Sequence, residues 1–199
     1  MGRNGTGSWP ENSNEWSVAA PGRYGARVAV YALGELEPTI DPTAFVHPDA
    51  VIIGDVTIGA DSSIWPGAVL RGDGGAIRVG ARTSVQDNAV LHTTPQWPTT
   101  VGDGCVLGHI VHLEGCTIDD DVLIGNAAMV LHRSVVHSGA IVAANSVVLN
   151  DVEVPSGALA AGSPAVIKPD RADLRLIQQS AAAYVHRIGA YRTSLRRLD

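Results

Sequence analysis

The side chains best equipped for chemistry crowd into one short stretch of this 199-residue chain. Gly108-His109-Ile110-Val111-His112-Leu113-Glu114-Gly115-Cys116 holds two imidazoles and a carboxylate. A third imidazole, His92, closes the segment Thr83-Ser84-Val85-Gln86-Asp87-Asn88-Ala89-Val90-Leu91-His92. Upstream, Arg71-Gly72-Asp73 offers a pair of opposite charges. Imidazoles and carboxylates are the groups that ligate divalent metals or carry protons. Neither use follows from residue type alone. What decides is whether the fold brings residues so distant in sequence to one place.

The elements that must do this are announced by a repeat. Aliphatic residues recur every six positions at Val46, Ile52, Ile58, Ile64 and Leu70, then at Val79, Val85 and Leu91, then at Val101, Leu107 and Leu113. After a five-residue step the series runs Ile118, Ile124, Val130, Val136, Val142, Val148 and Val154. Glycine often follows directly, as at Gly59, Gly80, Gly102, Gly108 and Gly125. A six-residue period fits neither a heptad nor an α-helix. It fits a parallel β-solenoid in which each hexad makes one flat side and its corner, and three hexads complete a rung. One aliphatic per side points into the shaft, and stacked rungs bury a continuous core. An ordinary β-sandwich would not hold such a register for so long.

Three segments fall outside the repeat. Residues 1–26 are rich in Gly, Asn and Ser and read as a disordered tail. The solenoid is expected over 27–168. His92 to Thr100 breaks the register and reads as a loop ejected from the coil. Over 169–199 a helix is expected, with Asp170 as N-cap. Its apolar stripe, Leu174, Ile177, Ala181, Tyr184, Ile188, Tyr191, Leu195 and Leu198, should pack along the solenoid or against a neighbouring subunit.

Composition narrows the function classes. The net charge is −6, and the arginines between Arg192 and Arg197 read as a solvated helix end, so no nucleic-acid partner is expected. There is no apolar run of membrane-spanning length and no signal-peptide core, so a cytoplasmic protein without a membrane partner is expected. The two cysteines, Cys105 and Cys116, read as free thiols, and there is no CxxC zinc motif.

Several segments resemble those of the gamma-class carbonic anhydrases. Ile64-Trp65-Pro66-Gly67-Ala68-Val69-Leu70-Arg71-Gly72-Asp73 is similar to their IWP…VLRGD motif. Thr83 to His92 is similar to TNIQDNxxxH, with Ser84 in place of the usual Asn. Gly108-His109 with Gly115-Cys116 is similar to GH…HGC, and Ala161-Gly162-Ser163-Pro164-Ala165 to the GxPA exit before the terminal helix. The resemblance spans roughly residues 40–190, in the family's order. It implies a left-handed coil, an exception to right-handed crossovers, assembled as a homotrimer. It further implies a divalent metal, usually zinc, at each subunit interface, and reversible hydration of carbon dioxide by a metal-bound hydroxide. By resemblance His92 is one ligand and His109 the ligand offered by the neighbouring subunit. Arg71 and Asp73 match the pair that ties subunits together near the site. Gln86 and Asp87 match residues that order the metal-bound water.

The chain departs from the family where the third histidine belongs. That position, five residues after His109, holds Glu114, and a histidine stands instead at His112. Glu114 follows inward Leu113 as His92 follows inward Leu91, so both should project outward from equivalent corners. His112 is displaced by two residues, roughly 6–7 Å of strand. Glu114 is therefore the better geometric substitute, while a solvated carboxylate is its bland alternative. His112 is left as a partner of the ligands, an acid/base, or a ligand should the strand shift. Two histidines and a carboxylate suit zinc with one open position, and also non-haem iron. A carboxylate ligand weakens the Lewis acid, which favours a slower hydratase or a metalloenzyme for another small molecule. Gly74 and Gly75 stand where archaeal relatives carry an acidic proton shuttle. His47, His132, His137 and His186 read as structural or surface residues, Cys116 as packing, and Trp65 and Trp97 as packing or loop anchors. A coenzyme A-dependent acyltransferase and a non-catalytic scaffold share the repeat and stay open.

Overall fold

The computed structural model describes residues 28–198, so the segment 1–26 read as a disordered tail lies outside the described residues. Over the rest, the six-residue repeat has become a parallel β-solenoid of about seven turns followed by one helix.

Three ladders of inward aliphatics make the shaft. The first runs Val46, Ile64, Val85, Leu107, Ile124, Val142 and Ala160 in paired register. The second runs Ile52, Leu70, Leu91, Leu113, Val130 and Val148. The third runs Ile40, Ile58, Val79, Val101, Ile118, Val136 and Val154. From Ile52 through Val148 every member of the second ladder is fully buried. Each such side chain contributes roughly 1.5–3 kcal/mol on leaving water. Ala50, Ala68, Ala89 and Ala128 are equally buried where they precede the second face, and Val111 takes the same place on the turn between Ala89 and Ala128.

The corners need a left-handed backbone. Gly67 supplies it on one rung, and Asn88, Ile110, Ala127 and Asn145 on those above, at φ of 57°, 62°, 56° and 57° for the last four. Ile110 is the costly one, because a β-branched side chain is poorly suited to this region. Two long strands, Val51–Ile58 and Val69–Val79, run round a corner and join the second and third faces, with a register shift between Gly54 and Val56. The last strand, Val166–Lys168, turns back antiparallel on Leu159–Ala161 and ends the coil.

The helix, Leu174–Ser194, starts one turn later than the Asp170 cap implies. Asp170 has φ 54° and cannot lead into a helix; Asp173 is the cap, its carboxylate accepting from the Arg175 amide. Ile177, Ala181 and Ile188 are buried against the first face of the same chain. Phe45, Trp65, Tyr184 and Tyr191 cluster with Ile188. Trp65 donates from its indole to Ser63 and Ser84 hydroxyls at 2.9 and 3.0 Å, so it is a packing anchor. Leu174, Leu195 and Leu198, at the ends of the expected stripe, are exposed in the single chain.

Candidate functional site

Register builds the site. Arg71, His92 and Glu114 are partners on three consecutive rungs, each one residue past an inward leucine, so all three project from one column. His92 Nδ1 lies 3.0 Å from Glu114 Oε1, and His92 Nε2 lies 3.3 Å from Asp73 Oδ1. Asp73 in turn pairs with the Arg71 guanidinium. His112, at the start of the strand His112–Glu114, turns back so that Nε2 lies 3.3 Å from Glu114 Oε2. His92 and Glu114 are about one-fifth exposed, enough for solvent or a small ligand to reach them.

The carboxyl groups are tuned by this company. For Glu114, burial pushes the carboxyl up, but hydrogen bonds from His92 and His112 and the nearness of His132 outweigh it and hold the group below the usual carboxylate range. For Asp73, burial again pushes up, and the Arg71 guanidinium together with the His92 contact wins. Cys105 and Cys116 are both buried free thiols, each pushed up to about 12 by burial.

The second group of expected residues sits apart. His109 Nδ1 lies 2.8 Å from Asp87 Oδ2, the two stacked on adjacent rungs past inward Leu107 and Val85. Gln86 is buried beside them in sequence, its backbone held by Leu107 and Ala89. Among the described residues no hydrogen bond or ion pair joins His109 to the His92–Glu114 group, and no three His, Cys, Asp or Glu side chains of one chain are gathered to hold a metal ion.

The donor chemistry nonetheless fits a cation. A neutral imidazole has one N–H and one lone pair. His92 faces carboxylate oxygens with both nitrogens, so in the neutral ring one contact sets lone pair against lone pair. A positive charge resolves that conflict, whether a second proton on the ring or a cation beside it. His109 has Nδ1 held by a carboxylate and, among the described residues, no partner at Nε2, in the manner of a metal-ligating histidine oriented by its neighbour.

The loop is shorter than the sequence reading, covering residues 93–98. Thr99 and Thr100 belong to the strand Thr99–Val101 and pair with Ile77 and Arg78. It closes on itself through reciprocal Thr94–Trp97 backbone bonds of 3.3 and 3.2 Å. Gly74 and Gly75 lie beneath it; a Cβ on Gly75 would sit 2.6 Å from the Thr94 carbonyl oxygen. These glycines thus give the loop room to lie against the coil.

Sequence reasoning missed His132. It is no detached structural histidine: its Nε2 lies 3.6 Å from Glu114 Oε1. Its ring packs on Trp97, centroids 5.2 Å apart, and the Arg133 guanidinium lies 4.5 Å from the Trp97 ring centre. Gly115 makes room for it, since a Cβ there would meet His132 Cδ2 at 2.7 Å, a contact that no motif in the sequence marks.

Comparison with known proteins agrees with this architecture. A family model described as "Bacterial transferase hexapeptide (six repeats)" matches residues 37–72. The mitochondrial gamma carbonic anhydrase 2 of Arabidopsis thaliana is 41% identical over 157 residues, 75% of this chain and 56% of the plant protein. The chain therefore spans little more than half the length of that relative. The carnitine operon protein CaiE of Escherichia coli K12 is 40% identical over 138 residues, 69% of this chain and 70% of its own. A hexapeptide transferase family protein from Anaplasma phagocytophilum superposes with a TM-score of 0.78 at 36% identity, covering 82% of this chain and 98% of that one. With the repeat, the ordered motifs and these relatives in agreement, the chain belongs to the gamma carbonic anhydrase/CaiE-like hexapeptide-repeat family.

Proposed function

We propose that the chain is a metal-dependent lyase of the carbonic anhydrase type, hydrating carbon dioxide reversibly at a site between copies of itself. His92 and Glu114 of one copy and His109 of another hold a divalent metal, zinc by donor chemistry, with iron as the second choice. The observation that carries this reading is the 3.0 Å approach of His92 Nδ1 to Glu114 Oε1 on adjacent rungs. It brings two groups able to ligate a metal side by side, one at a family ligand position and the other, Glu114, where the family carries its third histidine.

Zinc in such a site supplies Lewis acidity, which makes water acidic enough to act as a nucleophile. The chain's own residues do the rest. Asp73, anchored by Arg71, fixes the His92 ring. His112 holds one Glu114 oxygen. Asp87 fixes the tautomer of His109. Gln86 offers an amide to orient the reactants. Assembly as a homotrimer is supported by exposed apolar side chains around these groups: Val90 and Met129 flank His112 in register, and Ile110 follows His109. Because a carboxylate donates negative charge, hydration near neutral pH is expected to be slower than with three histidines and to rise at alkaline pH.

The deciding experiment measures metal per subunit in protein purified without added metal, for wild type and Glu114→Ala, with carbon dioxide hydration assayed on the same samples. About one metal per subunit, lost in the variant, together with hydration, is the expected result. Metal retained without hydration favours a second reading, a metalloenzyme for another small molecule, to which the three imidazoles around Glu114 lend support. No metal in the wild type sinks both.

A further inference from the structure

We infer that His132 is a positioning residue that fixes the Glu114 carboxylate, with Trp97 as the wall that fixes His132. The inference rests on the reading of Glu114 as a metal ligand.

His132 Nε2 is buried and has no hydrogen-bond partner among the described residues. Leaving a buried polar group in this state is unfavourable, and native structures rarely do so without a use for it. The nearest charged atom is Glu114 Oε1 at 3.6 Å, a few tenths of an ångström beyond a hydrogen bond. Oε1 already serves His92, but a carboxylate oxygen has a second lone pair to accept from the His132 N–H. With His112 at Oε2, each oxygen of Glu114 then has its own imidazole besides His92.

The position of His132 is enforced from behind. Trp97 packs on its ring, Arg133 covers Trp97, and Asp151 holds Arg133 through two bonds of 2.6 and 2.8 Å. The Asp151 amide donates to the His132 carbonyl at 3.1 Å. Gly115, without a Cβ, lets the ring approach the backbone beside Glu114. A histidine needed only to fill space would not require this much support around an unsatisfied nitrogen. Ligating carboxylates are characteristically held by hydrogen bonds from outside the ligand shell, and loss of such a partner typically weakens metal binding 10–100-fold.

The test uses the full chain and zinc alone as probe. Zinc affinity is measured by competition with a chromogenic chelator for wild type, His132→Ala, His132→Gln, His132→Leu and Glu114→Ala, beside urea unfolding of the zinc-free proteins. The expected result is a 10–100-fold loss of zinc affinity in His132→Ala and His132→Leu, with most of it restored in His132→Gln, whose amide nitrogen can take the place of Nε2. A purely structural role would move the unfolding midpoint and leave zinc affinity of the folded protein unchanged. Where His132→Ala does not fold, the Leu and Gln variants, closer to His in volume, decide. Wild-type zinc affinity in the Leu or Ala variant overturns the inference, as does a loss that Gln does not repair. If Glu114→Ala loses zinc while His132→Leu keeps it, only this inference falls. If Glu114→Ala keeps zinc, or the wild type binds none, the ligand reading falls and takes the inference with it.

Discussion

Replacing Gly115 by alanine separates two effects that the structure predicts will add. The first is conformational: Gly115 has φ 61°, where an L-side chain costs about 1–2 kcal/mol. The second is steric, since the new Cβ would lie 2.7 Å from His132 Cδ2 and 3.0 Å from Trp97 Cβ. Relieving such an overlap by shifting packed groups costs about 1–3 kcal/mol. Gly157 is the internal control, with φ 67° and no atom of the described residues within 4 Å of its would-be Cβ. Gly157→Ala is expected to lose the conformational part alone, about 1–2 kcal/mol, and Gly115→Ala about 2–5 kcal/mol. At this chain length each kcal/mol lowers Tm by about 2–4 °C. Urea unfolding followed by circular dichroism, with zinc chelated, measures both variants. If the two lose the same stability within about 0.5 kcal/mol, the packing of His132 and Trp97 over Gly115 is wrong.

Three other outcomes are expected. Cys105 and Cys116 should resist Ellman's reagent in the folded protein and react only on unfolding, because burial holds both thiols protonated; a fast-reacting thiol in native buffer contradicts their placement. The folded Glu114 carboxyl titrates below its ordinary value of 4.5, so its ionised form adds stability at neutral pH that is lost as pH falls from 4.5 towards the folded value. The stability of zinc-free wild type and Glu114→Gln should therefore converge on acidification through that range, and parallel profiles from pH 7 to about 3 would count against the shift. Leu107→Ala, at a fully buried rung position away from the Glu114 column, should lose about 2–5 kcal/mol in the same urea assay, and a loss under about 1 kcal/mol would contradict its burial.

Much of the fold was legible because a solenoid repeats one decision many times. Each turn needs an inward aliphatic at a set place, so Leu91 and Leu113 reveal their own register, and with it that of His92 and Glu114. The adjacency of those two follows from the repeat and is seen in the structure. His132 was not legible for the opposite reason. It lies two residues past inward Val130, in a turn whose course depends on Gly115 and on a loop from another rung. Trp97 was readable as an anchor, but its partners were not, since they come from the Leu131–Ser134 turn. The helix start moved from Asp170 to Asp173 because capping chemistry alone could not reveal a left-handed residue at Asp170.

The loop at 93–98 leaves and rejoins the coil without disturbing it: His92 stays paired to Arg71 before it and Thr99 to Ile77 after it. Donor groups and the loop beside them can thus be inherited separately. Rung geometry preserves the former, while insertion, deletion or recombination can exchange the latter in a single event, because a longer loop adds little closure entropy. Such a scaffold can change what it admits without relearning how to hold its reactive groups, and divergence among its descendants should concentrate in this segment rather than in the columns it shelters.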